Sequence, residues 1–178
     1  MIARIALIST LFAGRVIAQD ITQGPAGGQS GDILTVAQAN RSLSMFVAAI
    51  HASGLAKILR DEGPLTVFAL SNRAFANLAK EDLETLLTNR AGMRVLLAHY
   101  VAYGSIPQHD TANLLSARTL LGVKLRAVVR GDVSYVNGAK LSQRGIRCTN
   151  GTIHVLNVFD PGLVRDAVAL SPASPKKQ

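Results

Sequence analysis

The 178-residue chain contains one cysteine, no tryptophan and few aromatic residues of any kind. Because Cys148 has no second cysteine to pair with, no internal disulfide can form, and its distance from the N-terminus excludes a lipid anchor there. Aromatic residues make up 4% of the chain and hydrophobic residues 48%. We therefore expect one domain with an aliphatic core.

Long hydrophobic runs are also missing beyond the first eighteen residues. Arg4 supplies a positive start, Ile5–Gly14 is apolar, and Val16-Ile17-Ala18 offers the small or medium residues that precede a cleavage site. The apolar stretch is too short to span a bilayer. We predict a signal peptide over residues 1–18, cleaved near Ala18, and a secreted or periplasmic protein; an uncleaved anchor or a buried helix is the alternative.

Two segments flank the expected domain. Residues 19–32 are rich in Gln, Gly, Ser and Pro, which predicts a flexible leader. Residues 169–178 have a similar composition and predict a disordered tail. The folded domain is therefore expected over residues 33–168.

The first half of this domain has helical periodicity. Apolar residues recur at helical spacing from Leu43 to Ile50, with Asn40 or Ser42 available as a cap. A second short helix carries Leu55–Leu59 and is stopped by Gly63-Pro64. The other elements predicted here are a strand at Leu65–Leu70, a short helix capped by Ser71 or Asn72, helices at Glu81–Thr88 and Ala91–His99, and a strand at Tyr100–Gly104.

The second half alternates as a β-sheet does. Its apolar face is expected to carry Val123, Leu125, Ala127 and Val129, and its polar face Lys124, Arg126 and Arg130. Two-residue turns are predicted at Gly131-Asp132 and Asn137-Gly138. Strands are expected at Val133–Val136, at Ala139–Ser142, and from a turn at Asn150-Gly151 to Phe159. Helices followed by strands indicate an α+β fold.

Four ordered stretches between residues 33 and 164 resemble signature elements of fasciclin domains. Gly63–Phe75 resembles the first signature box, Leu96–Gly104 the Tyr-His element, Val136–Leu141 the hairpin before the second box, and Asn150–Asn157 the second box itself. His99-Tyr100 reverses the usual Tyr-His order, and Asn157 stands where the family usually has Asp.

The resemblance implies a β-wedge of two antiparallel or mixed sheets with an N-terminal helical layer. It also implies an exported or surface-displayed protein with an adhesive or binding role and no enzymatic activity. The corresponding signature residues, expected to be structural, are Thr66, Phe68, Ser71, Asn72, His99, Tyr100, Asn150, Gly151, His154 and Asn157.

Histidines and the cysteine are the residues that could carry chemistry. His99 and His154 could approach one another and form a metal or acid–base site. A hydrogen-bonded core histidine is the favoured interpretation, because no Asp or Glu lies at ligand spacing. Cys148 has no Gly-rich oxyanion loop nearby. We expect no catalytic residue, no metal and no cofactor.

Charge is the most informative functional signal. The formal net charge is +8, and Asp132 is the only acidic residue between Arg118 and Arg147. The basic residues of that span are Arg118, Lys124, Arg126, Arg130, Lys140, Arg144 and Arg147. We predict a basic face for an anionic partner, such as acidic polysaccharide or lipid head groups. It consists of Lys124, Arg126, Arg130, Asp132 and Tyr135, with Tyr135 opposite Val128. A solvated polar face is the alternative.

Two short motifs have local explanations as well as functional ones. Arg130-Gly131-Asp132 spells an integrin-type tripeptide, but Gly and Asp are also what a tight turn requires. Asn150-Gly151-Thr152 matches the N-glycosylation pattern, and its use would require an exposed turn.

The expected function is therefore that of an exported, non-enzymatic binding or adhesion module. Its partners would be proteins or glycans of the cell envelope or the extracellular space, with a membrane surface as a further candidate. Nucleic acid is a poor partner because stacking aromatics are scarce. The alternative is a carrier of a small apolar ligand, lipid-like or a pigment, which needs an apolar pocket of several hundred cubic ångströms.

Overall fold

The computed structural model describes residues 31–107, 111–131, 133–141 and 145–169. The helices within them are Ile33–Ala39 (α1), Ser44–Ser53 (α2), Ala56–Asp61 (α3), Asn72–Ala76 (α4), Lys80–Thr88 (α5), Arg90–Ala98 (α6), Thr111–Ser116 (α7) and Pro161–Ala169 (α8). The strands are Leu65–Leu70 (β1), Val101–Tyr103 (β2), Ala127–Arg130 (β3), Val133–Val136 (β4), Ala139–Lys140 (β5), Ile146–Cys148 (β6) and Gly151–Leu156 (β7). The predicted signal peptide, most of the predicted leader and the tail beyond Ala169 lie outside the described residues.

A four-stranded sheet forms the centre of the fold, in the order β2-β1-β7-β6. The two central strands, β1 and β7, run parallel and pair along their whole length, from Leu65 with Gly151 to Leu70 with Leu156. All six residues of β1 are buried. Burial on both faces explains why this strand is a continuous, mostly apolar run rather than an alternating one. The outer strands β2 and β6 pair antiparallel with their neighbours.

The second sheet is an antiparallel meander, β3-β4-β5. Arg130 pairs with Val133 and Val136 with Ala139, so each connection has two residues. In the second turn Asn137 and Gly138 both have positive φ, 49° and 76°, as a type I′ hairpin turn requires. The predicted turns and the predicted pairing of Tyr135 with Val128 are confirmed.

The strand predicted from Val123 begins four residues later, at Ala127. The preceding stretch belongs to a separate hairpin, because Lys124 pairs with Arg118 in an isolated bridge. Val123, expected to face the core, is 45% exposed, whereas Leu125 is 3% exposed as predicted. Alternation alone could not distinguish one continuous strand from a hairpin followed by a strand.

The core lies between the central sheet and the helices, and most of its side chains are aliphatic. The few aromatic residues are concentrated in it as well. The side chains of Phe46, Phe68, Phe75 and Tyr100 are 1% exposed or less. Phe159 contacts two of these rings edge-on, with centroids 5.0 Å from Phe75 and 6.1 Å from Tyr100. Such pairs contribute roughly 0.5–1.5 kcal/mol each beyond area burial.

Together, the two sheets and the helices confirm the predicted α+β class with two sheets and a helical layer. Helices α1, α7 and α8 had no counterpart in the periodicity assignments. Among the described residues, no single helix is long and apolar enough to span a membrane. The segments Ile33–Ala39 and Arg41–Ser53 together reach the length and hydrophobicity of a span, but a bend of 104° separates them.

Candidate functional site

The end of strand β3 presents one member of the predicted basic face, Arg130, to solvent. Arg130 is exposed, and its guanidinium carbon lies 5.9 Å from the centroid of the Tyr135 ring. This contact arises because Arg130 pairs with Val133, which places Tyr135 diagonally across the hairpin on the same face. A cation–π contact of this kind is worth roughly 0.5–1 kcal/mol at an exposed site. It holds the arginine against the sheet with its charge accessible.

Arg126, by contrast, is engaged within the protein. Its Nη1 lies 3.0 Å from Oδ2 of Asp160, whose side chain is 13% exposed. Asp160 also accepts a hydrogen bond from the Gly162 backbone N–H at the start of α8. The ion pair therefore joins the second sheet to the junction between β7 and α8. Part of the charge predicted for ligand binding is thus neutralised by a residue 34 positions away.

Of the remaining members of the basic face, Lys124 is described by the structure and Asp132 is not. Lys124 is exposed, and no carboxylate of a described residue lies within ion-pair distance of it or of Arg130. Asp132 lies outside the described residues, so the Arg130-Gly131-Asp132 tripeptide stays a sequence pattern. Among the described residues of this face, Lys124 and Arg130 are therefore the two cations with no carboxylate within ion-pair distance.

Thr66, of the first signature box, forms the centre of a buried hydrogen-bond network. It is fully buried in β1. Its hydroxyl donates to the carbonyl oxygen of Gly104 at 2.6 Å and accepts from the backbone N–H of Ile106 at 2.8 Å. The side chain thereby fixes the path of the chain after β2.

Ser71 and Asn72 begin helix α4 and attach it to other elements. The hydroxyl of Ser71 caps α4 by accepting from the Ala74 N–H at 3.4 Å, and donates to Oδ1 of Asn157 at 2.7 Å. Asn72 Oδ1 accepts from the Met45 N–H at 3.0 Å at the start of α2. At position 157 the structure uses an acceptor oxygen, which both Asn and the family's usual Asp supply.

Asn150 connects three parts of the chain. Its Oδ1 accepts from the Ile33 backbone N–H at 2.8 Å, at the first turn of α1. Its Nδ2 lies 3.0, 3.3 and 2.9 Å from the carbonyl oxygens of Leu59, Arg60 and Glu62, at the end of α3. A glycan on Nδ2 would displace most of these contacts, so the geometry disfavours use of the glycosylation pattern.

Gly151 follows in β7, at a point where the two central strands meet closely. Its φ is +155°, and a Cβ there would collide with the carbonyl oxygen of Leu65. Only glycine fits this approach. The two-residue connection between β6 and β7 is Thr149-Asn150, one position earlier than predicted, since Cys148 already pairs with Gly151.

His154 is 1% exposed and lies within the central sheet. Its Nε2 donates to the carbonyl oxygen of Ile106 at 2.9 Å, and its ring stacks on Phe68 with centroids 5.6 Å apart. Burial lowers the pKa of His154, while the hydrogen bond to Ile106 opposes that shift. Within the described residues Nδ1 has no hydrogen-bond partner. The ring is therefore neutral at physiological pH.

His99 and Tyr100 directly follow the C-terminal end of helix α6. Partial burial lowers the pKa of His99 against the opposing charges of Asp166 and Asp160. Tyr100 is fully buried; its hydroxyl accepts a hydrogen bond from the Asp160 backbone N–H at 2.8 Å, and burial raises its pKa. The neighbours of His99 thus differ from those of His154. Among the described residues no three His, Cys, Asp or Glu side chains are grouped to hold a metal ion.

Cys148 is half-buried in β6. Burial, aided by the Asp32 carboxylate, raises the pKa of its thiol to about 11. Thiolate is therefore scarce at neutral pH, which makes the side chain a poor nucleophile.

The surface carries shallow grooves with mixed lining. One of about 320 Å³ lies between α4, α5 and the start of α8, where Asn77, Asp82 and Arg165 accompany Leu78 and Phe159. Another, of about 460 Å³, is open and lined by several polar residues of the β6–β7 turn and the loop before β1. Charged groups line both, unlike the predominantly apolar wall of a typical pocket for an apolar ligand.

Comparison with known proteins agrees with this α+β architecture. The fasciclin domain profile matches residues 41–159. A solved FAS1 domain pair from the insect cell adhesion molecule fasciclin I has the same fold, with a TM-score of 0.58 and 15% identity over 72% of this chain and 50% of that one. The chain therefore belongs to the fasciclin domain family, and the predicted resemblance is confirmed.

Curated relatives include both large and small proteins. Protein sll1483 of Synechocystis sp. is 35% identical over 127 residues, 70% of this chain and 70% of the relative. Transforming growth factor-beta-induced protein ig-h3 of Sus scrofa is 31% identical over 127 residues, and the chain spans 19% of its length. Immunogenic protein MPB70 of Mycobacterium bovis is 29% identical over 159 residues, 84% of this chain and 76% of the relative.

Sequence reasoning missed one contributor near the basic face. Asp160, which neutralises Arg126, is followed by Pro161 and then by Leu163, Val164 and Ala167 at helical spacing. An acidic residue before proline at a helix start is a recognisable N-terminal signal. That pattern could have located α8, although not the partner of its first residue.

Proposed function

We propose that this fasciclin domain is an exported, non-enzymatic binding module that contacts an anionic extracellular or envelope partner through Lys124 and Arg130. Export is proposed from the signal-peptide pattern at residues 1–18, with cleavage after Ala18. The adhesive role of the insect protein that shares the fold supports a binding function. The observation that carries the proposal is a pair of exposed cations, Lys124 just before β3 and Arg130 at its end, with no carboxylate of a described residue within ion-pair distance.

Two features make this face suited to binding. Lys124, just before the second sheet, and Arg130, at the end of β3, are both exposed, and Tyr135 lies against Arg130 as an amphipathic contact surface. No acidic residue occurs in the sequence between Asp110 and Asp132. Attraction to a polyanion is therefore not cancelled within this segment, and it adds over neighbouring charges.

The mixed lining of the grooves favours this function over transport of a small apolar ligand. An apolar carrier needs a cavity whose wall is mostly hydrophobic. The two grooves described above both contain carboxylate groups among their lining residues. A purified protein that retains coloured or extractable lipid would reverse this preference.

The test is retention on an immobilised acidic polysaccharide, measured at two salt concentrations. Wild-type retention should weaken with salt, because the Debye length falls from about 10 Å at 0.1 M to about 3 Å at 1 M. The double variant Lys124→Glu/Arg130→Glu should bind at least about tenfold more weakly, since tenfold corresponds to only about 1.4 kcal/mol. Arg126 is left unchanged, because a glutamate there would face Asp160 and confound the result.

The matched control is Arg41→Glu/Arg73→Glu, which changes the net charge equally at exposed residues of the helical layer. Its retention should stay close to that of the wild type. The free energy of unfolding of both variants should lie within about 1 kcal/mol of the wild type, since exposed changes cost little and the first variant also loses the Arg130–Tyr135 contact. Equal losses in the two variants would mean that net charge alone governs retention, and the proposal would then be wrong.

A further inference from the structure

Next to the basic face, a small hairpin has an apolar tip. Its two arms are joined by three backbone hydrogen bonds of 2.8–2.9 Å, from Leu125 to Ala117, from Thr119 to Val123 and from Gly122 to Thr119. We call residues 118–124, Arg-Thr-Leu-Leu-Gly-Val-Lys, the apolar loop. It begins and ends with a cation and contains no other charged residue.

The tip of the apolar loop exposes hydrocarbon. Leu121 is 43% exposed and Val123 45% exposed, and Val128 on the adjoining strand is 50% exposed. Isolated exposed aliphatic residues are ordinary on protein surfaces. Here two of them, Leu121 and Val123, occupy one short loop, and clustered exposed hydrocarbon is what marks interaction sites.

The cations are held at the base of the tip by backbone geometry. Arg118 and Lys124 face each other across an isolated bridge. One guanidinium nitrogen of Arg118 donates to the carbonyl oxygen of Gly122 at 2.9 Å. This bond folds the arginine along the loop, and its other N–H groups remain able to donate.

This combination matches the interface of an anionic bilayer. Aliphatic side chains enter the boundary between head groups and acyl chains, while lysine and arginine side chains lie at the level of the phosphates. Juxtaposed cations gain from the negative potential of anionic lipid. An acidic polysaccharide would satisfy the cations but leave Leu121 and Val123 in water.

We propose that the apolar loop inserts into the interfacial region of an anionic lipid bilayer. In this arrangement Leu121 and Val123 contact acyl chains, and Arg118 and Lys124 contact lipid phosphates. Since Lys124 also belongs to the basic face, a bilayer becomes the specific partner of the proposed binding function, on which this inference rests.

The absence of tryptophan from the chain allows a direct test. In Leu121→Trp the only indole lies at the loop tip. Its emission should shift to the blue with vesicles of phosphatidylcholine and phosphatidylglycerol, and lipids brominated on the acyl chain should quench it. Vesicles of phosphatidylcholine alone should produce neither effect. The control is Leu87→Trp, which replaces another exposed leucine, on α5 close to Glu84; its emission should not change.

A second measurement uses the protein without a reporter. Co-sedimentation of the anionic vesicles with Leu121→Asn/Val123→Asn should fall at least about tenfold below the wild type, because two aliphatic contacts are lost. Retention of this variant on acidic polysaccharide should be unchanged. Both replaced side chains are exposed, and a circular dichroism melt checks that the variant is folded.

The outcomes separate this inference from the proposed function. An unshifted Leu121→Trp emission on vesicles that do bind the protein would show adsorption by charge alone and overturn insertion, while salt-sensitive polysaccharide retention would still support the basic face. Failure to bind anionic vesicles at all overturns insertion too. If Lys124→Glu/Arg130→Glu leaves polysaccharide retention intact, the proposed function fails, whatever the vesicles show.

Discussion

Replacing Asn150 with alanine should destabilise the protein more than most changes at a half-exposed turn. The side chain joins the start of α1 to the end of α3 across β7, using one accepted and three donated contacts of 2.8–3.3 Å. Alanine removes all of them and leaves the N–H of Ile33, a residue with 0% exposure, without its partner.

The size of the stability loss depends on whether water can reach the backbone groups that lose their partner. An orphaned buried donor costs about 1–3 kcal/mol, and the two amide N–H groups of Asn150, shared among the three carbonyl oxygens, contribute about 0.5 kcal/mol each, near the low end for a net hydrogen bond. We expect a loss of about 2–4 kcal/mol in the free energy of unfolding. Domains of this kind have roughly 5–15 kcal/mol in total, so the melting temperature should fall by roughly 5–15 °C.

Urea unfolding followed by circular dichroism measures this loss directly. Thr149→Ala is the matched control: it alters the exposed neighbour in the same turn and should cost less than about 0.5 kcal/mol. Asn150→Asp should be at least as harmful as alanine at neutral pH, because a carboxylate would face the three carbonyl oxygens. A loss below about 1 kcal/mol for alanine, or a wild-type melt for aspartate, would refute the proposed bonding of this side chain.

Two further predictions concern the central sheet. Thr66→Val keeps the shape of the side chain but removes the hydroxyl that bonds to Gly104 and Ile106. The free energy of unfolding measured in urea should fall by about 1–3 kcal/mol. Thr66→Ser retains the hydroxyl and should lose much less stability. His154 has a pKa below its ordinary 6.5 when folded, so the unfolded chain takes up the proton first and stability should fall as the pH drops through about 6.5, levelling off below the folded pKa. His154→Gln, whose amide can still donate to Ile106, should lose less stability between pH 7 and 5 than the wild type, with His99 contributing to the slope that remains; identical slopes would contradict the burial of a neutral ring.

Local signals predicted the secondary-structure elements well where the sequence contains turn-forming or helix-capping residues. Asn137-Gly138 predicted a two-residue turn and therefore the β4–β5 register, because such a turn leaves only one pairing. Ser71 predicted the start of α4 because its side chain can reach the helix N–H groups from three residues away. The predicted start of β3 at Val123 was wrong, because the alternation of apolar and polar residues continues unbroken from the preceding hairpin into the strand.

The candidate site was only partly predictable for a related reason. The charges of Lys124, Arg126 and Arg130 are evident in the sequence, but their predicted place on one strand face is wrong, since β3 begins only at Ala127. The neutralisation of Arg126 depends on Asp160, 34 residues away and on another layer of the fold. The exposure of Leu121 and Val123 depends on the hairpin that closes between Ala117 and Leu125.

By itself, the sequence determined the α+β class, the family, the excess of positive charge in the second half and the positions of most turns. These properties depend on residue types and on interactions between near neighbours. Only the tertiary structure decided that Asn150 secures α1, through a bond between residues 117 positions apart in the sequence. It also decided that His154 is a neutral core residue beside Phe68, and that Arg126 pairs with Asp160 while Lys124 and Arg130 have no carboxylate of a described residue within ion-pair distance. Each of these outcomes depends on which distant segment the folded chain brings within hydrogen-bond distance, and local propensity carries no information about that.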